Sequence, residues 1–131
     1  MLELVQVSKL FNPGTPDEKI AVVNISLKLN PGDFVTVIGS NGAGKSTLMN
    51  LISGVMKPDA GEVRINGQPV HHLGEHERSR WIGRVFQDPM AGTAPQMSIE
   101  ENLAMAYSRG KPRGLRLGVT PAKRAMFREQ V

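Results

Sequence analysis

The segment VIGSNGAGKSTLMNLISG, residues 37–54, constrains the fold of this chain more than any other. Four of its residues match the spacing G-x-x-x-x-G-K-[ST]: Gly39, Gly44, Lys45 and Ser46. An apolar stretch precedes the motif and a helical pattern follows it, which is the context that the motif requires. Glycines let such a loop turn successive N–H groups toward an anion, and the helix N-terminus adds a partial positive charge. The segment therefore predicts a phosphate-binding loop between a buried strand and a helix.

The chemistry of this motif indicates a ligand and a metal. Lys45 would reach the β- and γ-phosphates of a nucleoside triphosphate, and the hydroxyl of Ser46 can ligate Mg²⁺. The guanine-reading motif N-K-x-D does not occur in the sequence, so ATP is favoured over GTP. Asn41 and Ala43 are expected to contribute mainly backbone groups. The predicted nucleotide-binding residues of the loop are Gly39, Ser40, Asn41, Gly42, Ala43, Gly44, Lys45, Ser46 and Thr47.

The apolar pattern elsewhere predicts an α/β fold. Residues 2–8 alternate apolar and polar side chains and residues 20–29 are rich in β-branched ones, so two antiparallel strands are expected. Residues 34–38, FVTVI, are apolar or β-branched on both faces, which is typical of a strand inside a parallel sheet. Residues 57–70 predict a turn, a strand, a turn and a short strand, and residues 82–87 predict a further strand.

Helices are predicted from periodicity and from capping residues. Apolar residues recur at helical spacing after Lys45, and Gly54 is a suitable stop. Ser98 and Glu101 form a capping box before SIEENLAMAYSR, and the Thr-Pro pair at 120–121 opens a last helix that reaches the end of the chain without a stop signal. The apolar face expected after the capping box consists of Ile99, Leu103 and Ala106.

Composition limits the classes of function. The sequence has no cysteine, which excludes disulfides, thiolate metal sites and cysteine nucleophiles. It shows no apolar run near the ~18 residues of a membrane span and no signal peptide, so a soluble, cytosolic protein is expected. The net charge of +4 comes from residues 111–131, which hold six basic groups and one acidic group. A solvated face is the expected role of that basic stretch, and nucleic-acid binding is the alternative, with few aromatic residues to support it.

The segment from His72 to His76 matches H-x-x-E-H, a pattern of zinc hydrolases. Two histidines four residues apart would share a helix face, with Glu75 as the base. Gly74 weakens a helix there by about 1 kcal/mol, and the sequence places no third ligand. A solvated turn beside a short helix is the favoured interpretation of residues 73–81.

The stretch SNGAGKSTLMNLISGVMKPDAGEVRINGQPV, followed by IGRVFQDP, resembles the first half of the ATPase domain of ABC transporters. The resemblance covers residues 2–102, with the phosphate loop, the G-E-V-x-I-N-G turn and the glutamine after Val-Phe in the family's order. It implies a partial P-loop NTPase core with an N-terminal antiparallel β-subdomain. Residues 1–97 would form this partial core, and residues 98–131 would begin a helical subdomain that the end of the chain truncates.

The resemblance also implies roles for two residues outside the loop. Gln87 matches the family's glutamine that contacts the metal or the attacking water, so Lys45 and Gln87 are the expected catalytic residues, and Ser46 and Gln87 the expected metal ligands. A neutral amide suits this role because it can both accept and donate hydrogen bonds. Phe11 falls where the family places an aromatic residue on the adenine ring; a core phenylalanine is the alternative.

The family's remaining catalytic motifs do not occur in residues 88–131: an L-S-G-G-Q-like signature, an apolar strand ending in Asp-Glu, and a later histidine. The expected parent is an ATP-binding subunit of a bacterial import-type ABC transporter, peripheral on the inner face of the cell membrane. Its expected partners are ATP, transmembrane permease subunits and a second ATP-binding subunit, without nucleic acid. This chain alone is expected to bind MgATP weakly without hydrolysing it. The alternative is a short nucleotide-binding or interaction module that performs no hydrolysis.

Overall fold

A computed structural model describes residues 1–109 and 119–129 of the chain. The chain divides into two compact units, residues 1–81 and residues 82–131, which are described separately. Within the described ranges, no helix is both long and apolar enough to cross a membrane.

The first unit contains a four-stranded antiparallel sheet in the order β2-β1-β3-β4. Its strands are β1 (Leu2–Phe11), β2 (Lys19–Leu29), β3 (Ala60–Ile65) and β4 (Gln68–Pro69). The prediction of two antiparallel strands at the start of the chain is confirmed, and so is the order of turns and strands in residues 57–70. The first strand runs three residues further than residues 2–8.

Strand β1 does not keep strict alternation. Leu4 and Val7 are both buried although they are three residues apart, and the pairing with β2 shifts between them. Gln6 lies between them with a φ of 49°, and its N–H donates to the hydroxyl of Ser26 at 3.0 Å. The register shift therefore places Leu4 and Val7 on the same face of the sheet. The amide of Gln6, which leaves the ladder at the shift, is satisfied by the Ser26 hydroxyl.

Two helices complete the first unit: α1 (Lys45–Ser53) and α2 (Glu75–Arg78). Helix α1 ends at Gly54, whose φ of 89° suits glycine, as the sequence predicts. The core between the sheet and the helices consists of Leu4, Val7, Val22, Leu51, Val63, Ile65 and Val70.

The strands predicted at residues 34–38 and 82–87 are not formed. Phe34 is 94% exposed, Ile38 89% and Val85 96%. A strand of this composition needs hydrogen-bonding neighbours on both edges and cover on both faces. No segment within the described residues pairs with residues 34–38 or 82–87. Both segments therefore have the apolar pattern of a strand without the neighbouring strands that a sheet requires.

The second unit contains a 3-10 turn (Pro89–Gly92) and two helices, α3 (Ile99–Tyr107) and α4 (Pro121–Arg128). The capping box before α3 is confirmed: Ser98 accepts from the N–H of Glu101, and the Glu101 carboxylate accepts from the N–H of Ser98 at 2.8 Å. The Glu101 carboxylate also accepts from the Ser98 hydroxyl at 2.9 Å, and the two bonds that the carboxylate accepts from Ser98 lower the pKa of Glu101. Thr120 caps α4, also as predicted.

Helix α3 packs on α4 through a different face from the predicted one. Ala104 and Phe127 are buried, and Tyr107 meets Phe127 edge-on at 6.1 Å between ring centroids. Ile99 is 67% exposed, so the predicted face of Ile99, Leu103 and Ala106 is wrong. The spacing was compatible with two adjacent faces, and the contact with α4 selects the one through Ala104.

Charges also link the two helices. The Arg124 guanidinium donates to the Glu100 carboxylate at 2.8 Å, and that of Arg128 lies 4.0 Å from the same group. Two of the six basic residues counted in the terminal stretch therefore face an acid of α3. Three others, in residues 111–116, lie outside the described ranges, as does the predicted loop that contains them.

Candidate functional site

The loop at residues 39–44 opens directly into helix α1. Gly44 is the N-cap residue, with a φ of 83° and no capping side chain. The first helical hydrogen bond runs from the N–H of Leu48 to the carbonyl of Gly44 at 2.8 Å. The N–H groups of Lys45, Ser46 and Thr47 therefore precede the helical ladder and have no acceptor within it. This helix end is arranged to take its cap from an acceptor outside the protein.

Gly44 is required by its neighbours as well as by its backbone angle. A Cβ atom at this position would collide with the carbonyl oxygen of Ala21, on strand β2. Strand β2 and the loop are therefore in contact through backbone atoms at this point. This close approach fixes the loop against the first residues of β2 and explains why only glycine fits.

Lys45 folds back over the loop. Its ammonium donates to the carbonyls of Gly39 and Ser40, both at 2.7 Å. No acidic residue lies in the first turn of α1. The ammonium therefore holds the loop closed on itself while it adds a positive charge beside the free amides of the helix N-terminus.

The loop is open to solvent. Residues 39–43 and Ser46 are exposed, whereas Gly44 and Lys45 are half-buried. A phosphate chain can therefore reach both the amides and the Ser46 hydroxyl. Within residues 1–109 and 119–129, no group of three His, Cys, Asp or Glu side chains is arranged to hold a metal ion. The Ser46 hydroxyl could ligate a cation that binds together with the phosphates.

Phe11 and Gln87 stand in different parts of the chain. Phe11 is the last residue of β1, is half-buried, and pairs with Lys19 across the sheet. The ammonium of Lys9 lies 6.0 Å from the centroid of the Phe11 ring. Gln87 is exposed in the second unit, just before Asp88 caps the 3-10 turn. The roles of both residues stay predictions.

A buried arginine holds the other end of α1, and the sequence did not indicate it. Arg78 is 0% exposed. Its guanidinium donates to the carbonyls of Leu51 at 2.7 Å, Ile52 at 2.8 Å and Leu73 at 3.1 Å. Burial lowers the pKa of Arg78, and a positive charge at a helix C-terminus is favourable. A short polar helix carries no pattern that separates such a residue from a solvated one.

The H-x-x-E-H segment lies beside this arginine. The predicted short helix is confirmed at Glu75–Arg78, so His72 precedes the helix and only His76 lies within it. The two histidines therefore do not share a helix face. His72 meets the ring of His71 edge-on at 5.6 Å between centroids. The geometry that a zinc hydrolase needs is absent at this described segment.

The β-subdomain, the glycine-rich loop and the uncapped helix after it define a P-loop phosphate-binding protein. A family model described as ABC transporter matches residues 22–130, and the chain belongs to that family. It is 40% identical over 111 residues to a tyrosine transport ATP-binding protein of Clostridioides difficile, across 85% of the chain and 44% of that relative. It is 38% identical over 96 residues to the cytochrome c biogenesis ATP-binding export protein CcmA of Escherichia coli, across 72% of the chain and 44% of that relative.

Solved structures give the same result for the fold. The dimeric structure of MJ0796, a bacterial ABC transporter cassette, superposes with a TM-score of 0.77 at 31% identity, over 98% of this chain and 55% of that one. The same cassette bound to ADP and Pi gives a TM-score of 0.75. The predicted fold class is confirmed: a partial P-loop NTPase core with an antiparallel β-subdomain. The chain spans about half the length of the tyrosine transport protein, of CcmA and of the MJ0796 cassette.

Proposed function

We propose that residues 39–47 bind the phosphates of MgATP. The observation that carries this proposal is the N-terminus of α1: it has no side-chain cap, its first amides are free of the helical ladder, and Lys45 lies over it. Anions bind at such helix ends because the amides and the helix dipole act together. On binding, the Lys45 ammonium would exchange two carbonyl acceptors for phosphate oxygens, which are stronger acceptors because they are charged.

The test is a titration of the 131-residue chain with MgATP by calorimetry. Lys45→Ala is expected to abolish measurable binding, since it removes the ammonium that donates to the loop carbonyls. Lys57→Ala is the matched control, because Lys57 is exposed and precedes β3 rather than the loop. Equal affinities of the Lys45 and Lys57 variants would contradict the proposal.

Mg²⁺ enters this proposal through Ser46 and the nucleotide. The Ser46 hydroxyl is exposed at the first turn of α1, where it would hold a Mg²⁺ ion that binds with the nucleotide. Gln87 is the second proposed ligand, on the resemblance of its segment to the family. When bound, Mg²⁺ would neutralise part of the phosphate charge. Ser46→Ala should therefore reduce the gain in ATP affinity that Mg²⁺ provides, and have little effect on metal-free ATP binding.

Phe11 is proposed as the platform for adenine. Its position at the end of β1 leaves the ring half-exposed rather than in the core, which supports this role over that of a packing residue. Base stacking on an aromatic ring contributes about 1–3 kcal/mol. Phe11→Ala should weaken ATP binding while leaving the binding of inorganic triphosphate unchanged.

For the parent protein we propose an ATP-binding subunit of an import-type ABC transporter. It would pair with a second ATP-binding subunit and with transmembrane permease subunits, at the inner face of the cell membrane. Membership of the family and the likeness to a dimeric cassette support this assignment. The division into a core at residues 1–97 and the start of a helical subdomain at residues 98–131 belongs to the same proposal. One of the relatives is named as an export protein, so the direction of transport needs its own test. An uptake assay with the whole transporter would provide it.

For the chain itself we propose binding without hydrolysis. Turnover requires a base and a positioned water in addition to phosphate contacts. Residues 88–131 lack the Asp-Glu strand, the signature and the later histidine that the resemblance calls for. A phosphate-release assay is expected to show no turnover. Release that Lys45→Ala abolishes would contradict this.

A further inference from the structure

The first residues of strand β2 lie along the phosphate loop. Lys19 opens this strand and pairs with Phe11 across the sheet, and two residues later the Ala21 carbonyl lies against Gly44. The start of β2 is therefore held beside the loop by backbone contacts. The backbone of residue 19 is therefore held in place by the sheet.

The ammonium of Lys19 reaches the middle of the loop. It lies 3.9 Å from the position that a Cβ atom of Gly42 would occupy. Gly42 has a φ of 85° and presents only backbone at this point, so nothing stands between the ammonium and the loop surface. Lys45 contacts the loop at Gly39 and Ser40. The two ammonium groups therefore approach different parts of the same turn.

The Lys19 ammonium has no hydrogen-bond or ion-pair partner among residues 1–109 and 119–129. Lys9, on the neighbouring strand, differs: its ammonium pairs with Asp59 at 2.7 Å. An unpaired ammonium beside Lys45 and a helix N-terminus repels both unless an anion shares the space. A phosphate group bound at the loop would offset this repulsion.

We infer that Lys19 is a second phosphate-binding cation, which contacts the polyphosphate chain of the nucleotide from the Gly42 side of the loop. The inference rests on the proposed function of the loop. Lys45 is assigned to the β- and γ-phosphates by its motif. Lys19 pairs with Phe11, the proposed adenine platform, so it lies toward the base and meets the phosphates nearer the ribose. It should therefore act on ADP and ATP alike.

The experiment measures Kd for MgATP and for ADP, by calorimetry, with the 131-residue chain and five variants, one of which is Lys45→Ala. Lys19→Ala is expected to weaken the binding of both nucleotides by about tenfold, which is the lower end of the range for a hydrogen bond to a charged group. Lys19→Arg should retain affinity because the charge is kept, and Lys19→Glu should lose more than the alanine variant. Lys28→Ala is the matched control, since Lys28 is an exposed lysine of the same strand at its opposite end.

The outcomes separate the two proposals. If the unmodified chain binds MgATP and Lys45→Ala does not, while Lys19→Ala binds like Lys28→Ala, the inference is overturned and the proposed function stands. If the unmodified chain binds neither nucleotide, the proposed function fails and the inference fails with it. A loss on Lys19→Ala that Lys19→Arg does not rescue would assign the residue a packing role instead. Circular dichroism spectra confirm that each variant keeps the sheet.

Discussion

Replacement of Arg78 by methionine is expected to lower the free energy of unfolding of the first unit more than replacement of a surface arginine would. The guanidinium is fully buried and donates three hydrogen bonds to backbone carbonyls, two of them at the C-terminal end of α1. Arg78→Met keeps a long apolar side chain but removes every donor. The carbonyls of Leu51 and Ile52, which belong to the last turn of the helix, then lose a partner that the helix cannot replace.

The magnitude follows from two opposing contributions. Each hydrogen bond from a charged donor stabilises by about 1.5–3 kcal/mol, so three such bonds set an upper range of about 4.5–9 kcal/mol. The variant also removes the cost of burying a charge, which the lowered pKa of Arg78 reflects. We expect a net loss of about 2–4 kcal/mol in the free energy of unfolding, which lies at the upper end of the usual range for point variants.

The assay is urea denaturation followed by far-ultraviolet circular dichroism and by the fluorescence of Trp81, the one tryptophan of the sequence. Arg64→Met is the control, because Arg64 is a surface arginine paired with Glu62 at 2.7 Å and should cost less than about 1 kcal/mol. The comparison sets a fully buried arginine without an acidic partner against a half-buried arginine with such a partner. A loss below about 1 kcal/mol for Arg78→Met, equal to that of the control, would refute this account of α1.

Three further predictions concern the loop, a helix cap and an acid-sensitive contact. Gly44→Ala should abolish MgATP binding in the calorimetric titration, because the added Cβ meets the sheet backbone at a φ of 83°; normal affinity would contradict the loop geometry. Ser98→Ala should lower helix content and cost about 1 kcal/mol in urea, whereas Ser98→Asp should not. Asp59 accepts from the N–H of Leu10 and from Lys9, and these bonds lower its pKa. Its contribution, less than about 1 kcal/mol, is complete above the ordinary aspartate pKa of about 3.9 and is lost as the pH falls below it. Asp59→Asn should therefore reduce the acid sensitivity of the urea midpoint between pH 5 and 2, and an unchanged pH profile would argue against it.

Local signals in the sequence predicted the elements that local interactions determine. The loop at residues 39–44, the stop at Gly54 and the caps at Ser98 and Thr120 were found at the expected positions. Each depends on backbone angles or on hydrogen bonds within a few residues. Such features are encoded by the identity of one or two residues and need no distant partner.

Features that depend on distant partners were not predicted correctly. Residues 34–38 have the composition of a central strand, yet a strand forms only with neighbours, and none pairs with them in the described part of the chain. The face of α3 was misassigned because the contact with α4, which lies beyond residues 110–118, decides it. Arg78 was missed because its role depends on carbonyls 26 and 27 residues away.

The central claim is that the free amides at the start of α1 bind nucleotide phosphate, and an amide NMR titration of the ¹⁵N-labelled chain tests it most directly. Addition of MgATP should shift the amide resonances of Gly42 and of residues 44–47, and the Lys45→Ala variant should show no such shifts. Resonances of His72 and His76 serve as an internal reference and should stay in place. Spectra that do not change with MgATP, or changes confined to residues outside the loop, would contradict the account.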